Sequence, residues 1–257
     1  MIPVEDGPAP GSVWLVGAGP GDPGLLTLRA VSALRGADVV FHDALPGPAV
    51  LRYARTGARL VDVGKRKGTA AMKQPEICRA LVEAARAGHR VVRLKGGDPA
   101  MFGRTGEELD ALDAAGIPWD IVPGVTAASA AASVAGIPLT LRHAASSASF
   151  VTGHGADGQV PEWDQAGTVV AYMALTKIDT LALRLLASGR DADTPVAVIS
   201  RATLPGQRVL RSTLGTCTLD VRRAAMPAPA LIIIGEAARK TRADALVEAA
   251  LHAQLCR

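Results

Sequence analysis

The sequence predicts an α/β protein of two domains, the first built on a parallel sheet and the second on a mixed sheet with helices. Three observations carry this. Between residues 13 and 123, short apolar runs alternate with segments of helical spacing, the pattern of a parallel sheet with right-handed crossovers. Beyond residue 126 the strand candidates outnumber the helices, and two of them have nothing helical between them. The 257 residues include only three Trp, three Phe and two Tyr, so the core is Ala, Val, Leu and Ile, which suits helices packed on a parallel sheet.

In order, residues 1–11 are acidic and rich in Pro and Gly and are expected as a disordered lead before an N-terminal domain at 12–123. Val13–Val16 is the first strand, ending in Gly17-Ala18-Gly19-Pro20-Gly21-Asp22-Pro23-Gly24, and Leu25–Arg35 has helical spacing closed by Gly36 as a C-cap. Ala37–Phe41 is a second strand that delivers His42-Asp43, and a short helix at Pro48–Arg55 leads to a third strand at Arg59–Val63. Gln74–Ala87 reads as a helix, with Pro75 in its first turn and Gly88 stopping it. Val91–Leu94 is the fourth strand, Glu107–Ala115 a helix capped by Gly116, and Trp119–Val122 the fifth strand. The second domain, 124–242, opens with an Ala/Ser-rich helix at Thr126–Val134. Strands follow at Ala148–Thr152, Val169–Met173, Pro195–Ser200, Arg208–Thr213 and Ala230–Gly235, with one strong helix at Ile178–Ser188. The pair 195–200 and 208–213 reads as a hairpin around Leu204-Pro205-Gly206, and 243–257 as a terminal helix and tail.

Composition narrows the function. A net charge of +4 and a pI near 9.2 favour an anionic partner without naming it. No like-charge run exceeds Lys65-Arg66-Lys67, and no aromatic–basic interleaving offers a stack for bases, so nucleic acid is not expected as a partner. Cys78, Cys217 and Cys256 are odd in number and far apart, and the five histidines lack metal-ligand spacing, so neither disulfide framework nor metal is expected. No apolar signal segment and no stretch of membrane-spanning length is visible, which makes a cytoplasmic setting without a membrane partner the expectation.

The chemistry concentrates after the fourth strand, in VVRLKGGDPAMFGRTGEE (91–108). Open α/β sheets bind ligands just past the carboxyl ends of their strands. Gly96 and Gly97 allow backbone close to a ligand, Asp98 accepts from a hydroxyl or ammonium, and Pro99 stiffens the exit. A tight turn with a solvated acidic helix start, Glu107 and Glu108, accounts for these residues alone equally well. The first loop, Gly17-x-Gly19, is no dinucleotide fingerprint. Asp22 stands where the third glycine belongs, and Pro20 lacks the N–H that pyrophosphate needs; only Asp43, about 20 residues on, fits that idea. Glycine loops with embedded carboxylates suit a ligand that is not a phosphate ester, such as S-adenosylmethionine. The backbone at Gly96–Asp98 and Thr126-Ala127 is then the reading surface. A basic set of Lys65, Arg66, Lys67, Arg104 and Arg142 suits a polyanionic co-substrate, since the arginine fork matches carboxylates two hydrogen bonds at a time.

Ten strings occur together and in order: VGAGPGDPGLLTLRA (16–30), FHDAL (41–45), VGKRKG (63–68), RLKGGDPAMFGRTGEE (93–108), VPGVTAASAAA (122–132), GIPLT (136–140), FVTGH (150–154), YM (172–173), TLPGQRV (203–209) and PALIIIGE (229–236). Together they resemble the tetrapyrrole methylases, and VGKR with RLKGGDP, FGR-x-GEE and GIPLT resembles the uroporphyrinogen-III C-methyltransferase branch in particular. The resemblance implies a two-domain fold with the cofactor in the cleft and usually a homodimer. It also implies methyl transfer from S-adenosylmethionine to C2 and C7 of uroporphyrinogen III, giving precorrin-2 for sirohaem and cobalamin. A sister methylase acting on a later corrin intermediate, or a non-catalytic cofactor-binding relative, is the alternative. No appended dehydrogenase–chelatase domain is expected.

By the same resemblance, cofactor contacts fall to Pro20, Gly96, Gly97, Asp98, Met101, Thr126, Ala127, Met173 and Ala202. Asp43 is the implied proton acceptor and Lys65 the proton donor, while Arg104, Glu107 and Arg142 match positions tied to catalysis or substrate binding. The string departs from the family at Ala44, where an arginine is common, at Ala174 and Ala202, where glycines are common, and around Arg142.

Overall fold

The computed structural model describes residues 7–64, 72–153 and 167–240. The chain forms two compact units, Met1–Ala127 and Ala128–Arg257. In the first, five strands, β1 (Val13–Gly17), β2 (Val39–His42), β3 (Arg59–Asp62), β4 (Val91–Lys95) and β5 (Trp119–Val122), make one sheet in the order β3-β2-β4-β1-β5. Every pairing in it is parallel, as the alternation predicts. Helices α1 (Leu28–Gly36), α2 (Pro48–Leu51), α3 (Gln74–Arg86) and α4 (Thr105–Ala114) cover its two faces.

Strand parity sorts the side chains. Val13, Leu15, Val39, Phe41 and Val91 pack with Ile77, Leu81, Ala84 and Ala85 of α3 and with Leu112 of α4. The alternate positions, Val16, Val40, Val92 and Leu94, pack with Ala30, Ala33 and Leu34 of α1 and with Val50 of α2. Both faces of the central strands are therefore buried, and alanine-rich helices let the layers approach without aromatics.

Several boundaries differ from the sequence reading. The first helix begins at Leu28, because Asp22 Oδ1 accepts from Gly24 N at 2.8 Å and sets a 3₁₀ turn at Pro23–Leu25, and Thr27 then caps Ala30 N at 3.1 Å. Gly36 is the last helical residue, not a left-handed cap. Its value is space, since a Cβ there would stand 3.0 Å from Gly7 Cα. Gly88, Gly116 and Gly189 do take positive φ at 81°, 66° and 92°, as C-caps require. The helix at Pro48 stops at Leu51. Residues 7–11 run along the sheet, with Gly11 N donating to His89 O at 3.1 Å; residues 1–6 and the tail at 243–257 lie outside the described residues.

The second unit holds α5 (Ala127–Val134, from its second residue on), β6 (Ala148–Thr152), β7 (Thr168–Tyr172), α6 (Ile178–Ala187), β8 (Pro195–Ser200), β9 (Arg208–Thr213), α7 (Cys217–Arg223) and β10 (Ala230–Ile234). Its sheet is mixed, in the order β6-β7-β10-β8-β9. β6 pairs parallel to β7, β10 runs antiparallel to β7 and β8, and β8–β9 is the hairpin expected around Leu204-Pro205-Gly206. Helix α7 is an element the sequence reading lacked. Seven residues are too few for a periodic signal, yet Cys217 and Val221, one turn apart, join Leu181 and Leu185 of α6 in the core. Among the described residues no helix is long and apolar enough to cross a membrane.

Candidate active site

Because sheet one is all parallel, the loops after β1, β2, β4 and β5 leave from a single edge. This brings Pro20, Asp43, Gly96, Gly97, Asp98, Thr126 and Ala127 to the carboxyl end of one sheet, where an open α/β sheet carries its ligand. The loops are bound to one another by backbone. Gly19 and Gly97 exchange N–H···O bonds at 3.1 and 2.7 Å, and Ala18 N donates to Lys95 O at 2.8 Å. Those donors are consumed within the fold, which strengthens the case against a pyrophosphate loop.

Three glycines make the close approach possible. A Cβ on Gly17 would stand 2.6 Å from Gly124 Cα, and one on Gly124 would stand 2.3 Å from Gly97 O. Gly97 adopts φ +70°, and the position its Cβ would take is 3.6 Å from Ala127 N. The result is a backbone-lined cradle at the ends of β4 and β5, suited to a ligand read through main-chain groups. Asp98 holds it together: Oδ1 accepts from Ala100 N at 2.8 Å and Oδ2 from Gly124 N at 2.9 Å. Each oxygen thus spends one lone pair on the loop and keeps another for a ligand. Gly96 takes no positive φ; a Cβ there would press Leu45 at 3.0 Å.

A buried ionic cluster lies beside this cradle. Parity puts Asp43, just past β2, on the face of Phe41, and Arg93 and Lys95 of β4 on the face of Val91, so the apolar layer under α3 and α4 turns polar toward the carboxyl end. Arg93 Nη2 donates to Asp43 Oδ1 at 2.6 Å, its Nε to Glu108 Oε1 at 3.0 Å and its Nη1 to Leu94 O at 3.1 Å. Lys95 Nζ donates to Glu108 Oε2 at 2.5 Å, and Gln74 Nε2 to Oε1 at 3.2 Å. Glu108 is fully buried, and the side chains of Arg93 and Lys95 nearly so, whereas that of Asp43 remains 30% exposed. Two cations against two carboxylates leave the cluster neutral. Burial works against the Arg93 charge, but Asp43 and Glu108 outweigh it and hold its pKa above the ordinary value. Burial pulls the Lys95 ammonium down, against the attraction of Glu108. Glu108 is thus no solvated helix start, and sequence reading missed this cluster. The available signal was two cations at i and i+2 in a strand otherwise fit for full burial.

Met101, half-buried, and Arg104 follow in the same loop. Arg104 takes φ +54° just before α4, and its Nε and Nη2 grip the two Glu107 oxygens at 2.8 and 2.7 Å. That hydrogen-bonded fork holds Glu107 below the usual carboxylate range and Arg104 above its own. Helix α4 starts at Thr105, two residues before the predicted point, because Thr105 Oγ1 donates to Pro99 O and Gly103 lacks a Cβ that would stand 2.6 Å from that oxygen. Lys65, with Arg66 and Lys67, lies outside the described residues. Gly64, beside it in sequence, presses so close to Ala44 that a Cβ would meet Ala44 N at 2.3 Å.

In the second unit the carboxyl ends of β6, β7 and β8 also share one edge. Strained dihedrals gather there: Met173 at φ +53°, Arg201 at +51° and Thr203, β-branched, at +67°. Met173 is half exposed, and a Cβ on Gly153 would stand 2.7 Å from its carbonyl. Ala174 sits at φ −98°, ordinary for alanine, so glycine is not required. The positive φ values around Ala202 fall on its neighbours, which lets its Cβ stand. Tyr172 Oη accepts from Ala128 N at 3.1 Å in the first turn of α5. Arg142 is exposed in the short loop closed by the Leu141–Ala145 bridge.

The chain is similar to the uroporphyrinogen-III C-methyltransferase of a Sinorhizobium species, with 48% identity over 89% of this chain and 84% of that protein. It is 51% identical to siroheme synthase 2 of Aeromonas hydrophila over 88% of its own length, though it spans only 49% of that relative. The chain thus covers about half the length of several curated relatives it matches. Among solved structures, uroporphyrin-III C-methyltransferase from Thermus thermophilus, complexed with S-adenosylhomocysteine, superposes with a TM-score of 0.78 and 39% identity, over 89% of this chain and 93% of that one. A cobalt precorrin-4 methyltransferase gives 0.80 at 29% identity, over 89% and 96%. The sequence model of one family matches residues 12–218, and the chain belongs to it: the Tetrapyrrole (Corrin/Porphyrin) Methylases.

Proposed function

We propose that this chain is a methyltransferase that uses S-adenosylmethionine to methylate uroporphyrinogen III at C2 and C7, giving precorrin-2. The observation that carries the reading is a carboxylate, Asp43, and a backbone cradle, Gly96-Gly97-Asp98, leaving adjacent strands at one sheet edge, with Asp43 N donating to Leu94 O at 3.4 Å. The donor set suits the cofactor: main-chain groups, an Asp98 carboxylate with spare lone pairs, and loop donors already committed against phosphate. Pro20, Met101, Thr126, Ala127, Met173 and Ala202 complete the proposed contacts. When bound, S-adenosylmethionine supplies an electrophilic methyl, the ring-carbon–methyl bond forming as the sulfur–methyl bond breaks.

The remaining work belongs to the chain's own groups. Methylation leaves a cationic ring that must lose a proton, and Asp43, partly exposed, accepts it. Lys65 is the proposed proton donor. Arg104, its fork shared with Glu107, and Arg142, exposed, meet the carboxylates of the tetrapyrrole and orient it. The proposal includes a cytoplasmic homodimer.

Incubating the pure protein with uroporphyrinogen III and methyl-labelled S-adenosylmethionine is expected to give a dimethylated tetrapyrrole. No label in the tetrapyrrole, with cofactor binding intact by calorimetry, overturns the substrate assignment. The fold likeness to a precorrin-4 methylase supports one second reading, action on a later corrin, and label appearing only there in a substrate panel decides for it.

A further inference from the structure

We propose that Arg93 is a positioning residue for Asp43, and that Glu108, held by Lys95 and Gln74, in turn fixes Arg93. The inference rests on reading Asp43 as the proton acceptor. The guanidinium of Arg93 has each of its three nitrogens committed, to Asp43 Oδ1, Glu108 Oε1 and Leu94 O. Such a group cannot rotate without breaking several charge-assisted bonds in a site nearly closed to water. Glu108 is the anchor, because its Oε1 takes both Arg93 and Gln74 while its Oε2 takes Lys95. The cluster ties β2, β4, α3 and α4 to one point.

Among the cluster's charged side chains Asp43 is the most exposed, at 30% against 4% or less for Arg93, Lys95 and Glu108. Its Oδ1 is taken by Arg93, and its Oδ2 accepts from no described residue. Its position is set from both sides, for its own carbonyl accepts from Nδ1 of the buried His42 at 2.9 Å. An acceptor on a loop end would swing; one oxygen clamped leaves the other aimed and unspent. A cationic ring carbon needs little basicity to surrender its proton. Lysine cannot replace the clamp, since a point charge lacks the planar fork that holds two carboxylates at once. Besides Arg93, the described charged or titratable groups around the cluster are His42, Lys95 and Glu108, with Cys78, Glu107 and Arg104 beyond them.

The test is a double-mutant cycle on the full chain, using Arg93→Lys, Asp43→Asn and the pair. Arg93→Lys is expected to lower kcat by roughly 10- to 100-fold, a part of the ~10²–10⁴-fold that an oriented general base supplies. Calorimetric Kd for S-adenosylhomocysteine and KM for the tetrapyrrole are expected to stay within about twofold, as for an interaction absent from ground-state binding. Asp43→Asn with Arg93→Lys should then be no slower than Asp43→Asn alone, since Arg93 acts through Asp43; a merely structural role predicts multiplied losses. Unchanged kcat in Arg93→Lys, or multiplied losses in the pair, overturns the proposal. Should Arg93→Lys not fold, Glu108→Gln, which keeps shape and both cations, takes its place with the same expected cycle. Wild-type turnover in Asp43→Asn would instead remove Asp43 as the acceptor, a different failure.

Discussion

At the scale of single residues, Asp98 and Arg104 have separate expected roles. Asp98 is both a loop clamp and a proposed cofactor contact, so Asp98→Ala is expected to weaken S-adenosylmethionine binding in calorimetry. It is also expected to cost about 1–3 kcal/mol of stability as Ala100 N and Gly124 N lose their acceptor. Affinity unchanged in the folded variant removes it from the contact set. Arg104 stands half exposed with its fork on Glu107, at a left-handed dihedral that only the loop imposes. Arg104→Ala is expected to leave cofactor affinity within about twofold while turnover falls about tenfold or more, as for an interaction that orients the second substrate. Loss of cofactor binding instead would show that the loop cannot be divided into a cofactor half ending at Met101 and a substrate half starting at Arg104. The strained Met173 and Thr203 belong to the same scale: backbone tension persists where neighbouring structure overdetermines it.

At the scale of elements, the loops after β1, β4 and β5 interlock through glycine backbones, with the Asp98 carboxylate joining the last two. Gly124→Ala puts a methyl 2.3 Å from Gly97 O and near Gly17, against backbone that has no rotamer to yield. A loss of about 1–3 kcal/mol in denaturant unfolding, typical of overpacking, is the expected result, together with weaker cofactor binding as the cradle widens. An unchanged midpoint would mean the loops are more compliant than their hydrogen bonds imply. The amphipathic α3 shows the same interdependence at its other end. Its apolar stripe of Ile77, Leu81 and Ala85 packs on sheet one, while Gln74 in its first turn reaches the ionic cluster through Glu108.

At the scale of the whole molecule, each unit holds a carboxylate stabilised in its ionised form. In the first, Asp38 accepts from Arg90 N at 2.8 Å and pairs with Arg55, and the backbone bond leads in holding its pKa down against burial. In the second, Asp220 accepts from Ser212 and Thr216 hydroxyls, which lower its pKa likewise. A depressed folded pKa means the unfolded chain binds more protons. The contribution is therefore complete above the unfolded carboxylate value of about 3.9 and is lost as pH falls through the folded one. Unfolding midpoints are expected to fall below about pH 4 from this source. Asp38→Asn should flatten part of that fall and change the midpoint near pH 7 in the destabilising direction. An identical acid limb in wild type and variant would exclude Asp38 as a source.

Much of the fold was legible because alternation and punctuation are local: strand signals placed the ten strands of the described residues, and Gly88, Gly116 and Gly189 closed helices through their own dihedrals. What the chain could not display along its length was whatever depends on which strands become neighbours. Arg93 and Lys95 interrupt an apolar run harmlessly in one dimension. Only the order β2-β4, with α3 and α4 laid over it, reveals that the buried Glu108 and the partly buried Asp43 and Gln74 meet there, Asp43 and Glu108 bonding the two cations directly and Gln74 bonding Glu108. The loop at 96–101 likewise reads as exposed turn backbone until β1, β4 and β5 are set side by side, when Gly17, Gly97 and Gly124 prove to be contacts. Sequence by itself determined the alternation, the caps and, through its motif strings, the family. Tertiary structure decided the buried ion pairs and the glycine junction, because charge burial and backbone contact are pairwise properties of residues that lie 13 or more positions apart along the chain.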